Sequence, residues 1–181
     1  HLDTLRSMSR LGVSLERLGE NAAARNVDER CVRLREEVLG KKHPHTLRSM
    51  HNLGLSHSRL GEHTAARKVR ERCLQLREEV LGDKHLDTLK SMHNLGVTLS
   101  HLGEEAAARD VKERCCRLRC AVLGEAHPDT LRSKKSLSMT CSALQRASRV
   151  LLSQRAKIPE DDSARAASLR RCVSDMDRGL G

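Results

Sequence analysis

The pentapeptides HLDTL at His1, HPHTL at His43, HLDTL at His85 and HPDTL at His127 open four units set 42 residues apart, without an insertion. Units 1–42 and 43–84 agree at 28 of 42 positions, and units 43–84 and 85–126 at 25 of 42. Self-similarity at this period marks one supersecondary element per unit. Such an element is too small to bury its own apolar face and is completed by its neighbours in a stack. The chain is therefore constrained to an elongated repeat architecture before any single residue is considered.

Within the first unit, Leu5, Met8, Leu11, Leu15 and Leu18 recur at helical spacing until Gly19 interrupts them. A second stripe, Ala24, Val27, Cys31, Leu34 and Val38, runs to Gly40. The pair of helices, A and B, recurs as Leu47–Leu60 with Ala66–Leu81 and as Leu89–Leu102 with Ala108–Leu123. Helix B has heptad spacing, but the recurring glycines would break a continuous coiled-coil rod at each hairpin end. The expected fold is all-α, a right-handed superhelical stack of antiparallel helical hairpins.

Composition narrows what such a stack can do. No apolar run is long enough to span a membrane and the N-terminus lacks a signal-peptide apolar region, so a cytoplasmic location is expected. The absence of an initiating Met suggests a piece of a longer protein. Seven cysteines, three of them at one repeat position, suit small buried thiols better than a disulfide framework. The chain has no Phe, Trp or Tyr, which lowers the area its core can bury. A formal net charge of +10 selects anionic partners without choosing among protein, nucleic acid and membrane.

The string NLGVTLSHLGEEAAA, Asn94–Ala108, resembles the tetratricopeptide signature, with a Leu-Gly pair in helix A, glycine at the turn and alanines early in helix B. The 42-residue period and the phrase ERCLQLREEVLG at Glu71–Gly82, leading into the His-containing opening, are similar to the kinesin light chain form of the repeat. The resemblance covers residues 1 to about 144. It departs from the family where aromatics are usual, at Leu15, His57 and Leu99 in helix A and at Asn21, His63 and Glu105 at the start of helix B. Each missing ring could forgo about 1 kcal/mol of burial.

The resemblance implies that helix A lines a concave groove. The groove positions are then Arg6, Ser9, Arg10, Val13 and Arg17; Arg48, His51, Asn52, Leu55 and Arg59; Lys90, His93, Asn94, Val97 and His101; and Arg132, Lys135, Ser136 and Met139. Spacing agrees, since positions 6, 10, 13 and 17 share one helix face. The set contains cations, amides and small or apolar groups, while acids such as Glu36, Glu37, Glu78 and Glu79 fall late in helix B. Such a groove is expected to take acidic peptide segments, with arginines pairing carboxylates and Asn52 and Asn94 holding peptide backbone. Kinesin light chains are similar in recognising acidic peptides, which makes a kinesin heavy chain or its cargo an implied partner. The competing expectations are solvated faces, with Glu29–Arg33 and Glu113–Arg117 as ordinary intrahelical pairs, or a regulatory or oligomerising segment of a larger signalling protein. Nucleic acid fits poorly, because base stacking normally uses aromatic platforms.

Nothing in the sequence points to catalysis or a cofactor. Phosphate-binding glycine loops, nucleophile elbows and HExxH helices are absent. Cys115, Cys116 and Cys120 lack zinc-site spacing, and the recurrent His1, His43, His85 and His127 suit a connecting or capping role. The expected organisation is an array over 1–144, with units 1–42, 43–84 and 85–126 and a partial unit 127–144. Residues 145–181 follow as a degenerate repeat, capping helix or disordered tail. In that stretch 145–157 could prolong the preceding helix, and Asp162 or Ser163 could start a last one running to Met176.

Overall fold

The computed structural model describes residues 2–155, and these form seven α-helices with no strand among them. They are α1 (Leu2–Arg17), α2 (Asn21–Leu39), α3 (Pro44–Arg59), α4 (His63–Leu81), α5 (Leu86–His101), α6 (Glu105–Leu123) and α7 (Pro128–Arg155). Each packs chiefly on the helices before and after it, as expected of an all-α solenoid. The fourth helix A does not stop at residue 144 but continues as α7 to Arg155. The last helix anticipated between Asp162 and Met176 lies outside the described residues.

The turns follow from the glycines. Gly19, Gly61 and Gly103 adopt φ of 81°, 73° and 75° between helices A and B, a region that strains residues carrying a Cβ. At the opposite turns the recurrent histidine caps the next helix. His43, His85 and His127 each accept, at Nδ1, the backbone N–H two residues on, at 3.2, 3.1 and 3.1 Å. The ring takes the place of the Ser or Asp side chain usual at such caps.

The core differs from the apolar stripe in a specific way. Ala24, Ala66 and Ala108, and Cys31, Cys73 and Cys115, are buried as expected, but Val38, Val80 and Val122 are exposed. The buried face of helix B runs instead through Asp28, Val32 and Arg35 and their counterparts Arg70, Leu74, Arg77 and Lys112, Cys116, Arg119. Arg35, Arg77 and Arg119 form a ladder that ties each unit to the next. Their guanidinium groups donate to the backbone carbonyls of His45, Asp87 and Asp129 at 2.9, 2.7 and 2.9 Å. They donate also to the hydroxyls of Ser49, Ser91 and Ser133 at 2.6, 2.8 and 2.8 Å. These bonds offset part of the cost of burying each cation, whose Nε makes no hydrogen bond, and they fix the register between units.

The Leu-Gly pair in helix A has a related purpose. A Cβ at Gly54 would lie 3.1 Å from the Arg70 Cγ, and one at Gly96 2.7 Å from the Lys112 Cγ. The glycines leave room for long charged side chains to cross between helices. Two of the positions lacking aromatics are filled otherwise: Leu99 is buried, and the His63 ring stacks on His101 with centroids 4.6 Å apart.

Candidate functional site

Helix A side chains facing away from the joints line two clefts. The first, about 620 Å³, lies between α3 and α5 and brings together Arg48, His51, Asn52 and Lys90 with Pro44, His45, His85, Asp87, Arg77 and Leu81. The second, about 500 Å³, lies between α5 and α7. His93, His101, Arg132 and Lys135 border it, over a partly apolar lining that includes Val97, Met139 and Ala143. Eight of the thirteen charged and amide groove residues expected from the sequence thus fall into two groups of four. Arg6 instead borders a small recess against Leu5, Arg35 and His45. Arg10 and Arg17 are exposed on α1 outside both clefts. Arg59 is held by Glu16 at 2.6 Å, and the Asn94 backbone carbonyl accepts from Arg70 at 2.9 Å.

The groove is not free of acid. Asp87 lies 3.6 Å from Lys90 on the wall of the first cleft, and Glu105 lines the second, accepting from Ser100 at 3.0 Å. The same i,i+3 pairing joins Asp3 to Arg6 and Asp129 to Arg132, at 3.6 and 3.3 Å. In the second unit His45 stands where the others have this aspartate. Arg48 consequently takes part in no ion pair among the described residues, and Lys135, at the repeat position of His51 and His93, takes part in none either. These contributions from Asp87 and Glu105 were missed because each acts from a helix start, outside the face that helical spacing selects.

Most other acids are used to join units. Arg25 pairs with Glu62 at 2.7 Å and Arg67 with Glu104 at 2.6 Å, one repeat apart. Arg72–Glu36 and Arg114–Glu78 repeat in the same way at 2.9 and 2.7 Å. The intrahelical pairs expected for Glu29–Arg33 and Glu113–Arg117 are not among the ion pairs of the described residues. Glu29 instead lies 3.9 Å from His57.

Burial sets the protonation of the groove histidines. Desolvation, reinforced by Arg77 and Arg70, lowers His51 to about 4, and desolvation with Arg119 and Arg132 does the same to His93. Both rings are neutral at pH 7, so they offer hydrogen bonds while arginine and lysine carry the charge. Cys115 is a packed thiol that donates to the Leu89 carbonyl at 3.3 Å. Among the described residues no group of three or more His, Cys, Asp or Glu side chains is placed to hold a metal ion, and no helix is long and apolar enough to cross a membrane.

A tetratricopeptide repeat family model matches residues 3–69 and 55–121. The chain belongs to the tetratricopeptide repeat family. No curated protein matches the sequence. Among solved structures, this tetratricopeptide array is similar to a candidate kinesin light chain of Podosopora anserina with nearly identical TPR-like repeats. The TM-score is 0.73 at 22% identity, over 99% of this chain and 93% of that one. A single-substitution variant of the same protein gives 0.72 at 22% identity over 98% and 91%. BtubC (BKLC) from P. vanneervenii gives 0.72 at 16% identity over 97% and 64%. At these identities the likeness establishes a shared fold of kinesin light chain type. Its repeats make this chain a protein-interaction scaffold, and members of the family are typically non-catalytic.

Proposed function

We propose that the array is a cytoplasmic adaptor whose helix A groove binds acidic segments of partner proteins. The supporting observation is the unequal use of charge: many acids pair at the joints, while Arg48 and Lys135 line the clefts outside any ion pair of the described residues. A peptide carboxylate would supply the missing partner, with charge-assisted hydrogen bonds to Arg48 and Lys135. The apolar floor formed by Val97 and Met139 would receive a nonpolar side chain beside it. The fold likeness to a candidate kinesin light chain makes a motor heavy chain, or a motor's cargo, one source of such a segment.

The test is fluorescence anisotropy of a labelled acidic peptide library against the wild type and an Arg48→Glu, Lys135→Glu double variant, at two salt concentrations, with poly-U as control. Saturable peptide binding that weakens with salt and disappears in the double variant is expected. Equal binding by the variant, or preference for poly-U, would remove the groove as the site.

A further inference from the structure

The repeats serve as controls for one another, and the third joint departs from the pattern of the first two at one spot. At the first joint Val32 of α2 shares an apolar cluster with Met50 of α3, and at the second Leu74 of α4 shares one with Met92 of α5. One turn further along helix B, Glu36 and Glu78 pair with Arg72 and Arg114 of the next helix B. At the third joint the same three positions hold Cys116, Lys134 and Cys120. Two thiols and an ammonium group stand where the other joints have an aliphatic residue, a glutamate and a methionine.

These three groups meet. The thiols of Cys116 and Cys120 lie one turn apart on α6 and hydrogen-bond to each other, and Lys134 of α7 faces both sulfurs. Glu125 holds the Lys134 ammonium at 3.2 Å and so keeps it beside the pair. Cys116 is buried and Cys120 half-buried. Cys115, the remaining thiol of the run, is turned into the core, where it donates to the Leu89 carbonyl, and it is no part of the group.

Geometry decides among the reactions open to two thiols. Side chains four apart on a helix have Cβ atoms about 5–6 Å apart, whereas a disulfide needs about 3.5–4.5 Å. Oxidation of a single cysteine needs an accessible thiolate, and burial, with Cys120 adding to it, raises the Cys116 thiol. An ion held between the sulfurs suits the wider span, since each metal–sulfur bond adds about 2.3 Å. Zinc would call for four ligands. Copper(I) is satisfied by two thiolates in a line, and soft sulfur ligands select it. Two thiolates around one copper(I) carry a single net negative charge, which the Lys134 ammonium offsets.

We propose that Cys116 and Cys120 form a two-coordinate copper(I) site, with Lys134 as its counter-charge. Binding forms two Cu–S bonds and breaks two S–H bonds; the protons pass to solvent and no oxidation state changes. None of the three residues lines either cleft, so the site is separate from the peptide groove.

The test is a titration of the full chain, reduced and kept anaerobic, with copper(I) in competition with bathocuproine disulfonate. One copper retained per chain is expected, with two sulfur neighbours in X-ray absorption. The double variant Cys116→Val, Cys120→Glu, which restores the residues of the first unit, should lose it. Lys134→Met, again the residue of the other units, should weaken retention at least about tenfold. Cys141→Ser, which removes a half-buried thiol of α7, should change nothing. Complete loss of copper to the chelator from the wild type, or retention by the double variant, overturns the site. A wild-type copper with nitrogen, oxygen or more than two sulfur neighbours overturns it as well, and that readout depends on no variant folding.

Discussion

The first joint and the two that follow share a backbone but solve the same burial problem with opposite charge. At the first, Asp28 lies against Ser56, whose hydroxyl donates to it at 2.7 Å and stands 3.0 Å from Glu16. At the second, Arg70 donates to the Asn94 carbonyl and to Thr98, and at the third Lys112 donates to Thr140 at 2.6 Å. The groove side changes in step: α1 has Ser9 where α3 and α5 have His51 and His93. A buried arginine or lysine beside an imidazole keeps that ring neutral, whereas an aspartate there would favour its protonation. The difference teaches that the 42-residue unit fixes where a charge is buried, and leaves its sign to be settled locally.

The two kinds of joint should answer pH in opposite directions. Burial, with Glu16 adding to it, raises Asp28 to about 6 despite the Ser56 hydrogen bond. The folded state therefore holds this proton more tightly than the unfolded chain. Its stabilising contribution is full below about pH 4 and is lost as pH rises towards 6. His51 and His93 are lowered from 6.5 to about 4, so the folded state disfavours their protons. Their contribution is full above pH 6.5 and is lost as pH falls towards 4.

The largest effect should come from breaking what the joints share. Arg77→Met leaves the Asp87 carbonyl and Ser91 without their donor, and should cost about 3 kcal/mol in urea unfolding; the same change at Arg35 should cost a similar amount. A smaller and pH-dependent change should follow Asp28→Asn. It should gain about 2 kcal/mol relative to wild type at pH 7.5 and little at pH 4, since the amide keeps a hydrogen bond to Ser56 without burying charge. A flat difference across that range would assign the effect to packing. His51→Gln should act in the opposite window, improving the melting temperature near pH 4.5 by roughly 1 kcal/mol equivalent after allowance for the ring's partial exposure, and doing little at pH 7.5. The smallest change is expected of Arg114→Ala, which removes an exposed ion pair to Glu78 and should cost about 0.5 kcal/mol or less, falling further with salt.

Much of the fold could be read from the period and the glycines, because a stop at every hairpin end and an unbroken helical spacing leave few alternatives. The buried face could not. The stripe Ala24, Val27, Cys31, Leu34 and Val38 selects apolar residues, whereas the observed face includes Asp28 and Arg35, which composition assigns to the surface. Recurrence of arginine at 35, 77 and 119 beside serine at 49, 91 and 133 was the available signal. For the candidate groove, spacing within one helix grouped Arg48 with His51 and Asn52. The wall residues Asp87, Arg77 and Glu105 come from neighbouring helix starts and helix B, and only the stacking geometry brings them in.

Because the arginine ladder joins only adjacent units, a load applied along the array passes through its joints in series, and the weakest yields first. Stretched to full contour, one released unit of 42 residues lengthens the chain by about 14 nm. Raising the pH weakens the Asp28 joint relative to the others, and lowering it weakens the histidine-bearing joints. In an optical trap the force at which the first joint opens should then fall as pH rises through about 6, and that of the later joints should fall as pH drops towards 4.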